Sequence, residues 1–153
     1  MKKIFYVLLI FLFKINIAHS LIEVDITRGN LDPLPIAVSP LHVDSKSDNY
    51  QEAKTKELGE LISSVVEKNF RSTGLFNPLN KDAFVQKPDI AHLKPRFEDW
   101  RLITAQALVT GKLLIKDEKL KIEFRLWDVA ANKEMVALAF TTTPSNWRRV
   151  AHI

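Results

Sequence analysis

Leu120-Lys121-Ile122-Glu123-Phe124-Arg125-Leu126 puts an apolar residue at every second position and a charged one between. Strand side chains alternate faces with a period of two, so the stretch reads as a β-strand with one buried and one solvated face. Outward from it, residues 107–115 are apolar and rich in β-formers, and Val136, Leu138 and Phe140 repeat the alternation. The connections are short, residues 117–119 and 130–133, and Asn132 tolerates a positive φ. Residues 105–142 are therefore three antiparallel strands, and a sheet with one apolar face needs a helical cover.

The cover lies upstream. Residues 50–71 carry Leu58, Leu61, Ile62, Val65 and Val66 at helical spacing, with Ala53 and Phe70 extending the stripe. Asp48 followed three residues later by Gln51 has the form of a capping box, and Gly74 stands where a C-terminal cap is expected. Pro35-Ile36-Ala37-Val38-Ser39-Pro40 reads as a short strand, 42–49 as a polar linker and 75–79 as a turn. Asp82-Ala83-Phe84 reads as one helical turn, 86–95 as loop and 97–102 as a short helix. Residues 144–153 open a last helix, with Ser145 or Asn146 as N-cap and Trp147, Val150 and Ala151 as its apolar stripe. The expected fold is α/β, α+β-like in arrangement. It is a small, mostly antiparallel sheet of three to four strands with one long helix and short helices packed on it.

The first twenty residues stand apart. Lys2 and Lys3 precede a ten-residue apolar run, 4–13, and Ala18-His19-Ser20 comes after it with small residues at −3 and −1. This is the pattern of a secretory signal cleaved after Ser20. Ten apolar residues fall short of the roughly 20 that span a bilayer, so no membrane anchor is expected after cleavage. The whole chain has 22 Lys+Arg against 18 Asp+Glu. Lys2, Lys3 and Lys14 lie in the signal and no acid does, leaving 19 against 18 in the mature chain. The basicity belongs to the signal, and the nucleic-acid class loses its support. There is no cysteine, so nothing is stapled by disulfides.

No catalytic or metal constellation emerges. His19, His42, His92 and His152 show no metal-ligand spacing, and the four glycines build no phosphate loop. Glu98 and Asp99 are neighbours that point in different directions on a helix surface. Asp128, just past the alternating run, reads as a strand-end turn partner, and Ser63-Ser64 has no base nearby in sequence. Trp100, Trp127 and Trp147 read as core or rim packing, with a small-ligand groove as the alternative. The residues point to no enzyme, no cofactor and no metal.

Residues 21–27 alternate again, Ile22, Val24 and Ile26 against Glu23, Asp25 and Thr27. Arg28-Gly29-Asn30 ends the pattern, and Pro33 and Pro35 keep the next residues extended. The residues alone leave two readings: an edge strand of the domain, or an arm that adds as a strand to a partner's sheet edge.

Several longer stretches carry a resemblance. Pro95-Arg96-Phe97-Glu98-Asp99-Trp100-Arg101, Ala105-Gln106-Ala107-Leu108-Val109-Thr110-Gly111, Glu123-Phe124-Arg125-Leu126-Trp127-Asp128-Val129 and Asn146-Trp147-Arg148-Arg149-Val150-Ala151-His152-Ile153 resemble the N-terminal domain of the TolB family. Ile36-Ala37-Val38-Ser39-Pro40 and Gly74-Leu75-Phe76-Asn77-Pro78 fit it in the same order. The resemblance implies a periplasmic protein of the Tol–Pal envelope system, concerned with outer-membrane integrity, cell division and protein import. It implies an α/β domain succeeded by a six-bladed β-propeller. It also implies a partner-binding arm at Ile22, Glu23, Val24, Asp25, Ile26, Thr27 and Arg28 that engages a TolA-like periplasmic domain. Pal is a partner of the family chiefly through the propeller, which residues 1–153 do not include. The expected organisation is 1–20 signal peptide, 21–34 arm or edge strand, and 35–153 TolB N-terminal-like domain cut short within its last helix. Sheet face left uncovered there predicts association. The alternatives are a fragment or structural domain with no binding of its own, and a small periplasmic ligand-binding module.

Overall fold

The computed structural model describes residues 32–47 and 52–152. Within them β1 (Leu34–Val38) lies between β3 (Phe76–Pro78) and β4 (Ala107–Lys116), parallel to both. β2 (His42–Val43) continues along the same side of β4, also parallel. β5 (Lys119–Asp128) and β6 (Lys133–Thr142) complete the sheet antiparallel, in the order β3-β1-β4-β5-β6. The expected meander is therefore present. Lys116 pairs with Lys119 across a two-residue turn in which Asp117 and Glu118 have φ of 50° and 58°, the type I′ geometry that matches strand twist. Asn132 takes φ 54° in the second connection, as its residue type allows.

The sheet is larger than the expected three or four strands because of its parallel half. β3 falls in the stretch read as a turn; three residues ending in Asn77-Pro78 carry no strand signal of their own. Its ladder comes from β1: Leu34 N–H donates to Leu75 O at 2.9 Å, and Leu79 N–H to Ile36 O at 2.9 Å. β2 falls in the stretch read as a linker, held on β4 by Asp44 N–H donating to Leu113 O at 2.8 Å. Within the expected loop 86–95, one helical turn forms, α2 (Pro88–Ala91), with Pro88 in its first turn, where a missing N–H costs nothing.

The long helix α1 (Glu52–Ser72) covers one face. Thr55, Gly59, Ile62 and Ser63 are buried, Leu58, Val65, Val66 and Phe70 partly so, but Leu61 is exposed and leaves the expected stripe. The stripe runs through Gly59 instead. A Cβ there would stand 2.8 Å from Leu41 O, so glycine lets the helix approach the β1–β2 link. Gly74 ends the run at φ 72°, as a C-cap glycine does. The capping pair Asp48 and Gln51 lies outside the described residues.

The opposite face is only half solvated, which departs from the one-face expectation. The segment from Leu79 to Ala105, with α2 and α3 (Phe97–Leu102), packs Ala91, Phe97 and Trp100 on Ala37, Leu108, Trp127 and Val129. The clue is Trp127, an apolar residue at the next position of the charged row. Lys121 stays exposed, and Glu123 and Arg125 are half-buried at the edge of that cover. After a 3₁₀ turn at Pro144–Asn146, α4 (Trp147–Ala151) returns to the α1 face. Its Val150 and Ala151 are buried against Ile62, Leu120 and Ile122, and Asn69 Nδ2 donates to Ala151 O at 2.9 Å. Asn146 holds the N-cap position without a side-chain hydrogen bond.

Candidate interaction surfaces

The arm residues Ile22, Glu23, Val24, Asp25, Ile26, Thr27 and Arg28 lie outside the described residues. The described chain begins at exposed Asp32 and Pro33 and runs directly into β1, the strand with a parallel neighbour on each side.

Most of the polar candidates have structural partners. Asp128 Oδ1 accepts from Ala131 N–H at 2.8 Å, the turn role expected of it. Asp99 pairs with Arg96 at 2.8 Å, and Glu98 is exposed. Ser63 and Ser64 hydroxyls both donate to Glu60 O at 2.9 Å and both accept from Lys81 Nζ, at 3.3 and 3.1 Å. Lys81 also pairs with Glu67 at 3.4 Å. The tryptophans form no common groove. Trp100 and Trp127 are buried in one core and donate to Gln86 Oε1 at 2.9 Å and Thr110 Oγ1 at 2.8 Å; Trp147 packs with the other face.

One pairing was invisible in the sequence. His42 on β2 and His92 after α2 stack with ring centroids 4.0 Å apart and planes 5° from parallel. Burial, then the neighbouring His92, holds the His42 pKa below its usual value against the pull of Asp89 and Asp44. Alongside runs a chain of ion pairs: Lys112 to Asp44 at 3.8 Å and to Glu123 at 3.6 Å, Lys121 to Glu123 at 2.8 Å, Arg125 to Glu134 at 2.8 Å. The Lys46 backbone N–H is the main cause lowering the Asp44 pKa, and the Lys121 hydrogen bond the main cause lowering that of Glu123. A cavity of about 90 Å³ beside His92, Gly111 and Glu123 is too small for an organic ligand. No cluster of three or more His, Cys, Asp or Glu able to hold a metal occurs among the described residues.

Among the described residues, β6 leaves part of its apolar row exposed. Val136, Leu138 and Phe140 sit in register with Leu126, Phe124 and Ile122, hence on the α1 face. Yet Val136 is 44% and Leu138 46% exposed. Met135 stands at a register shift opposite Leu126 and Trp127 and is 59% exposed. No helix of the described residues is long and apolar enough to cross a membrane.

The family described as "TolB amino-terminal domain" matches residues 22–135. The Tol-Pal system protein TolB of Pelagibacter ubique (strain HTCC1062) is 69% identical over 138 residues, covering 89% of this chain and 31% of the relative. The chain thus spans about a third of the length of that curated relative. Among solved structures, TolB from Acinetobacter baumannii superposes with a TM-score of 0.58 at 17% identity, over 80% of this chain and 26% of that one. A PelC variant from Paraburkholderia phytofirmans, a dodecamer, gives 0.50 at 17% identity, over 78% and 81%. At these identities the structural likenesses speak to the fold alone.

Proposed function

The chain belongs to the TolB amino-terminal domain family, and from that premise we propose that it is an exported, non-enzymatic interaction module of the Tol–Pal cell-envelope system, working in the periplasm. Its working part is the arm Ile22–Arg28, which adds as a strand to the open edge of a TolA-like periplasmic domain. Backbone hydrogen bonds then supply affinity, and Ile22, Val24 and Ile26 on one side supply specificity. The observation that carries the reading is the extent of the family match. It begins at residue 22, so the alternating arm is part of the matched domain and the leader before it is not. Cleavage after Ser20 would leave that arm at the new N-terminus. Direct Pal contact is assigned to the rest of the longer relatives. The non-enzymatic part is supported by the carboxylates and serines above, which are engaged in turns, ion pairs and helix-backbone bonds.

The test is a titration of residues 21–153 against a TolA C-terminal domain, beside a chain starting at Pro33. Val24→Asp with Ile26→Asp should abolish binding while the circular dichroism of the domain stays unchanged. Unchanged affinity in the double variant overturns the arm's role. Mass spectrometry of the exported protein should give a chain starting at Leu21.

A further inference from the structure

We propose that the stacked His42–His92 pair is an acid-sensitive clasp: a second proton on the two rings parts them and lets α2 leave β2. The inference concerns a contact within the domain and is independent of the arm.

The clasp joins two elements that length alone does not hold in place. α2 is four residues long, too short to keep its own turn. Ala91 is its one buried residue, while Ile90 is exposed, as is Leu93 just beyond it. The His92 ring is fixed to this turn. Its Nδ1 lies 3.0 Å from Pro88 O, which only accepts, so Nδ1 carries the hydrogen and any further proton goes to Nε2. His42 belongs to β2, whose two residues pair with Lys112 and Leu113 of β4. With 4.0 Å between ring centroids and 5° between planes, the stack is the side-chain link from α2 to β2.

A single proton is compatible with that geometry, because a cation over a ring face is attracted to it. A second sets two positive charges face to face at the stacking distance, and like charges so close disfavour each other. The pair therefore takes up its protons as a coupled unit. The surroundings do not offset the second one. Asp44 on β2 and Asp89 on α2 act on His42 from the acidic side, and Lys112 on β4 from the basic side. Lys56 and Glu60 of α1, with Lys87 at the head of α2, line the groove beside His42. Glu123 and Arg125 of β5 line the cavity beside His92. Among the described residues the acids Asp44, Glu60, Asp89 and Glu123 are thus matched by Lys56, Lys87, Lys112 and Arg125. Lys112 already pairs with both Asp44 and Glu123. The lowered His42 pKa, set by burial and then by His92, has the same sense. The closed pair binds the second proton less readily than the parted rings do. The clasp is therefore firm above the ordinary imidazole value of about 6.5 and loosens as pH falls below it.

The experiment is an NMR titration of residues 21–153 from about pH 8 down to about pH 5, a range that brackets imidazole. Nuclear Overhauser contacts between the two rings should be present at the upper end and vanish at the lower. Amide exchange of Ala91 and His92, corrected for its intrinsic pH dependence, should rise about tenfold or more, the factor that corresponds to one pK unit. The Ile122 amide in the centre of the sheet should hold. His42→Phe, which stacks but takes no proton, should keep Ala91 and His92 protected throughout the range. His92→Phe should do the same for Ala91, so that a folding defect in one variant leaves the other to decide. Ring contacts that persist at the lower end overturn the proposal, as does exchange that stays flat. Acceleration that survives in a folded phenylalanine variant, or that spreads equally to Ile122, overturns it too.

Discussion

The sheet has two edges, built in opposite ways. On the β3 side it offers only short strands: β3, three residues ending in Pro78, whose nitrogen has no proton to donate, and the two-residue β2 beside β4. On the β6 side it offers ten, with Val136 and Leu138 nearly half exposed. A short strand ended by proline is a poor template for another chain, and a long uncharged one is a good template. Among the described residues, the β3 edge is short and ends in proline, whereas the β6 edge is long and unpaired.

Such a contrast needs β4 and β5 to form a rigid centre between the edges. The most damaging change should therefore be Gly111→Val. A Cβ there would collide with Glu123 O and stand 2.7 Å from Leu41 Cδ2, so the β4–β5 ladder must part. A loss of about 3 kcal/mol or more in urea unfolding is expected. A variant as stable as the parent would show that the centre yields, and that the edges are not held apart by it. Next in size, Ile122→Ala should cost about 2–5 kcal/mol, as truncation in a packed core does. On the same face of the adjoining strand, Val136→Ala should cost less than about 1 kcal/mol, since much of that side chain's surface is already wet at the edge. Equal losses would mean that β6 is covered in solution, which sharpens the question of what covers it.

The smallest effect distinguishes the two halves by pH. The His42 pKa is lowered in the folded state, so the unfolded chain binds the proton more readily. Stability from this site is fully present above the unfolded value of about 6.5 and is lost as pH falls through the lower folded value. Amide exchange at Val43 and Asp44 should accelerate over that window, while the β5–β6 amides hold. Asp44 and Glu123, whose pKa values are also lowered, add a second loss with the same sign in more acid solution, below the usual carboxylate range. His42→Phe should keep the stack on His92 and remove the first step. If the first step remains, the stacked pair is not its source.

Much of the antiparallel half was legible because its signals are local. The alternation from Leu120 to Leu126, the Asp117-Glu118 turn and the apolar stripe of α1 each need only neighbours in sequence. β3 and β2 were not legible because their ladders come from afar: Leu34 pairs with Phe76, and Val43 with Leu113. The His42–His92 stack has the same origin, two residues distant in sequence brought together by the fold. Val136 and Leu138 teach a subtler point. Periodicity placed them correctly on the apolar face, but it reports which face a residue lies on and not whether a helix extends that far. The stretch Ile22–Arg28 shows its alternation plainly, but alternation alone does not say whether a strand pairs within its own domain or with a partner.

β1 receives the chain at Pro33 and is flanked on both sides by parallel strands, with three paired positions to β3 and three to β4. Any pull transmitted to residues ahead of Asp32 therefore acts along the axis of an inner strand. Hydrogen bonds on both sides are loaded in shear and must give way together, whereas a strand on the rim would peel off one bond at a time. A load applied at Asp32 therefore meets the domain at its middle rather than at its rim.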